Sequence, residues 1–160
     1  MEELKLYGVD VEQSKNGEEI IYGAALIYNI INNKIFSYLK DYNLTPGKFN
    51  ILVVVKHRGG EEGIKQVGIS KHLIVTPSNM TKLIDKLEAE KFVTRFSLEG
   101  DRRVNVIKIT KKGADLLDKV WNGYNAALGE LLKGLNRAQK KTLSSLLLKW
   151  FESLRKGRAE

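Results

Sequence analysis

Along the chain, apolar positions first recur at Ile20, Ala24, Ile27, Ile31, Ile35, Tyr38 and Tyr42, in steps of three and four. Such steps keep one stripe of a helix apolar, so a long helix is predicted over 18–42. Residues 43–46 break it. Thr45 has the side chain of an N-cap, and Pro46 has the backbone angle of a first helical position. The second helix that follows carries Phe49, Leu52 and Val53 and stops at "RGG". A short third helix is predicted over 64–73, with Val67 and Leu73 inward and Gly68 as a local weakness.

The next start is sharper. In "IVTPSN", Thr76 is the expected N-cap and Pro77 the first helical residue. Met80, Leu83, Ile84 and Leu87 then fall at the i, i+3, i+4, i+7 spacing of a buried face, which turns Ser78, Thr81, Lys82, Asp85 and Lys86 elsewhere. Two short helices joined by a tight turn, the second with an apolar back and a polar, basic front, form a helix-turn-helix. Every surface helix has a polar front, so the segment after it matters. "FVTRF" and "RVNVIKI" alternate in the manner of strands, and "SLEGD" between them has turn chemistry. The resulting hairpin carries Glu99, Asp101, Arg102 and Arg103 at its tip. A helix-turn-helix followed by such a hairpin is a winged helix.

Beyond the hairpin, Leu117, Val120, Trp121, Tyr124, Leu128, Leu131, Leu132 and Leu135 give a long apolar helical stripe over 114–135, interrupted by Gly123 and Gly129. Asn136 and Gln139 have capping-box spacing and open a last helix. Its face of Leu143, Leu146, Leu147, Trp150, Phe151 and Leu154 is larger than a terminal helix needs to cover a small domain. It suits a partner surface, or packing within the chain on the first helix. The predicted fold is mainly α with a small β-hairpin wing.

Charge sharpens this picture. The net charge of +8 is uneven: residues 1–62 hold 7 Lys/Arg against 9 Asp/Glu, residues 63–112 hold 11 against 5, and residues 113–160 hold 9 against 5. The positive excess begins at the helix-turn-helix. It supplies salt-sensitive affinity for polyanions, although charge alone fits a generic soluble protein of high pI equally well. An arginine on a protruding loop suits the narrow, negative minor groove, and an aspartate two residues away can hold that loop in shape. Asp101 and Arg103 could also form an ordinary surface pair.

The remaining composition narrows the chemistry. Hydrophobic residues make up 42% and charged residues 29%, as in a soluble globular protein. There is no cysteine, which excludes disulfides, thiolate metal sites and thiol redox sensing. His57 and His72 lack metal-ligand spacing with nearby acids, so no metal or other cofactor is expected. No nucleophile–base set, Walker pattern or G-x-G-x-x-G appears, and no enzyme is predicted. The start "MEELKLYGVDVEQ" lacks the pattern of a signal peptide and no stretch has the length of a membrane span, so a cytoplasmic location without membrane contact is expected.

Three stretches carry a family resemblance: "LTPGKFNIL", "ISKHLIVTPSNMTKLIDKLEAEKFVTR" and "DRRVNVIKITKKGADLL". Together they resemble the multiple-antibiotic-resistance regulator (MarR) family of transcription factors. The most specific elements are the Asp-x-Arg of the wing, Asp101 and Arg103, and the Thr-x-x-Gly start of a helix at 110–113. The chain departs from the family at Lys91-Phe92, where a small residue or glycine is common, and at Ser70, where alanine is usual.

The resemblance implies a DNA-binding regulator, a repressor released by a small aromatic or phenolic ligand, that binds a palindromic operator as an obligate homodimer. It implies an N-terminal arm and dimerisation helix over 1–43, a winged helix-turn-helix over 44–112 and dimerisation helices over 113–160. Dimerisation is assigned to Ile20, Ile27, Leu143, Leu147, Trp150, Phe151 and Leu154. DNA contact is assigned to Thr76, Ser78, Asn79, Thr81, Lys82, Lys86, Arg102 and Arg103, with Asp101 positioning the wing. The competing reading is a winged helix used only for protein–protein interaction, against which the short polar side chains at 78–81 and the wing weigh.

Overall fold

The computed structural model describes the backbone of residues 5, 6, 8, 17–73, 77–98 and 101–156, and their side chains except at 77, 98 and 101–103. It divides into two compact units, residues 1–124 and 125–160. In the first unit, helix α1 (Glu18–Lys40) is followed by α2 (Pro46–Gly59), strand β1 (Ile64–Lys65), the short helix α3 (Gln66–Ser70) and α4 (Pro77–Ala89). Strands β2 (Val93–Leu98) and β3 (Asp101–Ile109) form the hairpin, and α5 (Lys111–Leu131) runs from the first unit into the second. Helix α6 (Arg137–Lys156) lies within the second.

The helix starts follow local chemistry. Thr45 is extended and its hydroxyl accepts from Lys48 N at 3.3 Å, with Pro46 opening α2. Thr110 plays the same part for α5, accepting from Gly113 N at 3.0 Å. This is the helix start expected of the Thr-x-x-Gly motif at 110–113. The capping box of α6 is complete: Gln139 N donates to Asn136 Oδ1 and Asn136 N to Gln139 Oε1, both at 2.9 Å. The expected Thr76 cap of α4 lies outside the described residues.

Two helices end in the same device. At the end of α1, Asn43 takes a left-handed φ of 54°, while Leu44 N donates to Leu39 O at 3.1 Å and Asn43 N to Lys40 O at 3.0 Å. At the end of α4, Lys91 has φ 62°, with Phe92 N on Leu87 O and Lys91 N on Glu88 O, both at 2.9 Å. Both are Schellman motifs, in which glycine is the least strained residue at the left-handed position. Lys91 is exposed, so Lys91→Gly should raise stability by about 1 kcal/mol, read as a higher midpoint in thermal melts. A lower midpoint would show that the lysine side chain contributes more than the backbone strain removes.

The predicted third helix over 64–73 is corrected by the structure. Ile64 and Lys65 form a strand antiparallel to β3, with Ile64 opposite Ile107 and Lys65 opposite Val106. The sheet is therefore three-stranded, in order β1-β3-β2. Pairing with a strand some forty residues away leaves no trace in local periodicity. The helical part shrinks to five residues, in which Ile69 is fully buried and the expected inward residue Val67 is 71% exposed. Gly63 makes the approach feasible: at φ 84°, a Cβ there would lie 2.8 Å from Ile107 O.

One core joins these pieces. Leu39 of α1, Phe49, Leu52 and Val55 of α2, Met80, Ile84 and Leu87 of α4, Val93 and Ile107 of the sheet, and Leu117 and Val120 of α5 are all buried together. Helix α5 closes on α1 through Tyr38, whose hydroxyl donates to Val120 O at 2.8 Å, while Gly123 leaves room for the phenol ring. Burial and the neighbouring Tyr42 hydroxyl push the Tyr38 phenol up to about 12. Among the described residues no helix is long and apolar enough to cross a membrane.

Candidate nucleic-acid interface

Helix α4 presents the face that its periodicity predicts. Met80, Ile84 and Leu87 are buried and Leu83 is partly so, while Ser78, Asn79, Lys82, Asp85 and Lys86 are exposed. Thr81 differs from its predicted companions. It is half-buried, and its hydroxyl oxygen accepts from Gln66 Nε2 of α3 at 3.0 Å, a bond that joins the two helices of the helix-turn-helix. The front of α4 thus offers short hydrogen-bonding side chains near its start and two lysines along its length. Side chains of these kinds reach base edges and phosphates respectively.

The hairpin follows within four residues. Strands β2 and β3 pair from Val93 opposite Ile109 to Leu98 opposite Asp101, with an irregularity in register between Ser97 and Leu98. Asp101, Arg102 and Arg103 open β3, at the far end of the hairpin from the core residues Val93 and Ile107. The side chains of these three wing residues, and Thr76, lie outside the described residues.

Charged residues that the sequence reading passed over surround α4. Arg95 of β2 pairs with Asp85, and its Nε lies 3.2 Å from Glu88 Oε2, angled so that no hydrogen bond forms there. Lys48 of α2 is buried and donates to Glu90 Oε1 at 2.8 Å and to Asn43 O at 2.9 Å. Lys112 of α5 donates to Glu90 O at 2.9 Å. The only sequence signal was Arg95's place in an alternating strand; the partners lie too far along the chain to be read from spacing.

An aromatic cluster joins α2 and α5. Phe49 and Tyr124 have ring centroids 4.6 Å apart, and Trp121 stands 6.1 Å from Tyr124 and 6.0 Å from the His57 ring. Trp121 and His57 are exposed at its edge, and burial raises the Tyr124 phenol above its ordinary pKa. Among the described residues no group of three or more His, Asp or Glu side chains is placed to hold a metal ion.

The assigned dimerisation residues stand at the surface. Ile20 and Ile27 of α1 are exposed, and in α6 Leu143, Leu147, Phe151 and Leu154 are exposed while Trp150 is half-buried. Helix α6 has no buried residue at all.

The sequence profile of the family described as "Transcriptional regulator SarA/Rot" matches residues 34–120, more than half of the chain. The chain belongs to this family of MarR-like winged-helix transcriptional regulators. The matched stretch of the regulator spans the whole winged helix, the last turns of α1 and the first half of α5. The regulator is 30% identical over 115 residues to the HTH-type transcriptional regulator PecS of Dickeya dadantii, covering 72% of this chain and 68% of PecS. Its fold is shared with a mutant Escherichia coli MarR solved with operator DNA, at TM-score 0.75 and 24% identity, covering 85% of this chain and 98% of that one. It is shared equally with Bordetella bronchiseptica BpsR, whose DNA binding is regulated by 6-hydroxynicotinic acid, at TM-score 0.76 and 20% identity over 86% and 96% of the two chains.

Proposed function

We propose that the regulator binds a palindromic operator as a homodimer, α4 entering the major groove and the hairpin wing the flanking minor groove, and that a small aromatic ligand releases it. The observation that carries this reading is the exposed polar and basic face of α4, backed by a buried apolar face and followed at once by the wing. Ser78 and Asn79 are the base-edge candidates, and Lys82 and Lys86 the phosphate ligands. Thr81, with its oxygen engaged by Gln66, serves as both linker and contact. Thr76, Arg102 and Arg103 complete the surface, with Asp101 positioning the loop.

Exposed apolar residues on α1 and α6 support the dimer, and a two-fold dimer matches half-sites one helical turn, about 34 Å, apart. The domain plan that goes with it has dimerising ends over 1–43 and 113–160 around a winged helix over 44–112. The aromatic cluster of Phe49, Trp121 and Tyr124, with His57 at its rim, supports the ligand class, because flat aromatic rings stack on such surfaces. The reading is of a cytoplasmic binding protein, with repression as its direction and no catalytic step.

Selection of binding sites from random duplex DNA tests it directly, and an enriched palindrome is the expected result. Binding without any enriched motif would transfer the basic face to a protein-docking role. In the same assay Arg103→Ala should lower affinity and flatten the dependence of log K on log salt by about one unit. An unchanged affinity and slope would remove the wing from the interface.

A further inference from the structure

Helix α4 is held from two sides by ion pairs, and the charges of one of them stand where local chemistry disfavours them. Lys48 is the third residue of α2, so its ammonium lies against the positive end of that helix dipole. Glu90 follows the last residue of α4 and lies against the negative end of that one. Lys48 is also nearly out of water, its side chain 7% exposed, and its Nζ is 2.6 Å from Glu90 Oε2. A buried ion pair replaced by apolar side chains of similar volume is often neutral or stabilising, so stability alone gives little reason for this one. Its geometric effect is specific: it ties the N-terminus of α2, and through Asn43 O the turn before it, to the C-terminus of α4.

Across the helix, Arg95 makes the complementary link. Asp85 and Glu88 stand one turn apart on α4, and both face the guanidinium from β2. These carboxylates would repel a phosphate backbone approaching α4. With Arg95 between them and the wing, their charge is answered within the protein and the wing strand is fixed to the helix it flanks.

We propose that Lys48 and Arg95 are positioning residues for sequence readout: they touch no phosphate, and through Glu90 on one side and Asp85 and Glu88 on the other they set the angle at which α4 meets base edges. The inference rests on the proposed role of α4. Its consequence separates two quantities that a phosphate contact would move together. Non-specific binding depends on exposed charge and tolerates a small tilt of α4, whereas base readout requires donors and acceptors in register.

The experiment measures Kd by fluorescence polarisation for the selected operator and for a scrambled duplex of equal length, at several salt concentrations, with thermal melts alongside. Lys48→Met and the charge-balanced variant Arg95→Leu/Asp85→Asn, which leaves the net charge of α4 and β2 unchanged, should each weaken operator binding by about tenfold, while scrambled-duplex binding and its salt slope stay at the wild-type values. The double variant Lys48→Met/Glu90→Met guards against a folding defect: it should melt at or above the wild-type temperature and still lose the operator preference. Equal losses on both duplexes, or a reduced salt slope, would make these residues phosphate ligands and overturn the proposal. So would an operator preference that survives in the stable double variant. If the wild-type protein itself fails to distinguish the two duplexes, the readout role of α4 falls, and the positioning role falls with it.

Discussion

Adding a single methyl group at Gly113 should destabilise the regulator by about 3 kcal/mol. A Cβ on Gly113 would lie 2.2 Å from Phe92 O, 3.0 Å from Phe92 C and 3.1 Å from Ile109 Cγ1. The obstacle is backbone, and that backbone is committed: Phe92 O accepts from Thr110 N at 3.0 Å, and Lys91 O accepts from the Thr110 hydroxyl at 2.8 Å. Relief would mean pulling α5 away from the end of α4, and with it the base of the wing. Gly113→Ala should therefore lower the melting midpoint by roughly 10 °C for a chain of this size, measured at a fixed protein concentration. Gly129, also in α5, is the control, since a Cβ there meets nothing within 4 Å. Gly129→Ala should raise the midpoint, because alanine in a helix interior is favoured over glycine by about 0.5–1 kcal/mol. Opposite signs from the same substitution in one helix would establish the close approach at Gly113. A neutral Gly113→Ala would show that the junction yields.

Placing aspartates on the apolar face of α6, as Leu147→Asp with Phe151→Asp, should convert the proposed homodimer to monomers and reduce operator affinity by about a hundredfold or more. Leu147 is 48% and Phe151 50% exposed within a face that continues through Leu143 and Leu154. Single exposed leucines are ordinary, but a row of this length on a helix without any buried residue calls for a partner. Two charges in the middle of that row would have to be desolvated on association, which opposes it strongly. The loss of DNA affinity follows from linkage: in a dimer, the second half-site binds at the high effective concentration set by the first, and such avidity amounts to about 10²–10⁴. Sedimentation velocity and polarisation titrations read the two effects separately. A variant that stays dimeric, or a monomer that keeps full operator affinity, would contradict the assignment of α6. Ile27→Asp probes α1 by the same logic, since Ile20 and Ile27 are exposed there.

Much of the fold was legible because it depends on neighbours four residues apart or fewer. The Thr45–Pro46 and Asn136–Gln139 starts, the buried spacing of Met80, Ile84 and Leu87 and the strand alternation of the hairpin are all of this kind. The Thr110–Gly113 motif was visible as a family signature and as a helix start, and the helix begins there. Of the proposed DNA surface, Ser78, Asn79, Lys82 and Lys86 stand exposed on α4 as expected, whereas Thr81 has its oxygen engaged by a residue fifteen positions earlier.

What the sequence by itself determined about this regulator is the order of its long helices, the starts at Thr45, Thr110 and Asn136, the hairpin, the polar front of α4 and the uneven charge, since periodicity, caps and turn residues act over a few positions. Only the tertiary structure decided that Ile64 and Lys65 form a strand, that Val67 faces out, that Lys48 seeks Glu90 and Arg95 seeks Asp85, and that Gly113 and Gly123 must lack a side chain. Each of these depends on which distant segments the common core brings within a few ångströms of one another, and no spacing along the chain encodes that distance.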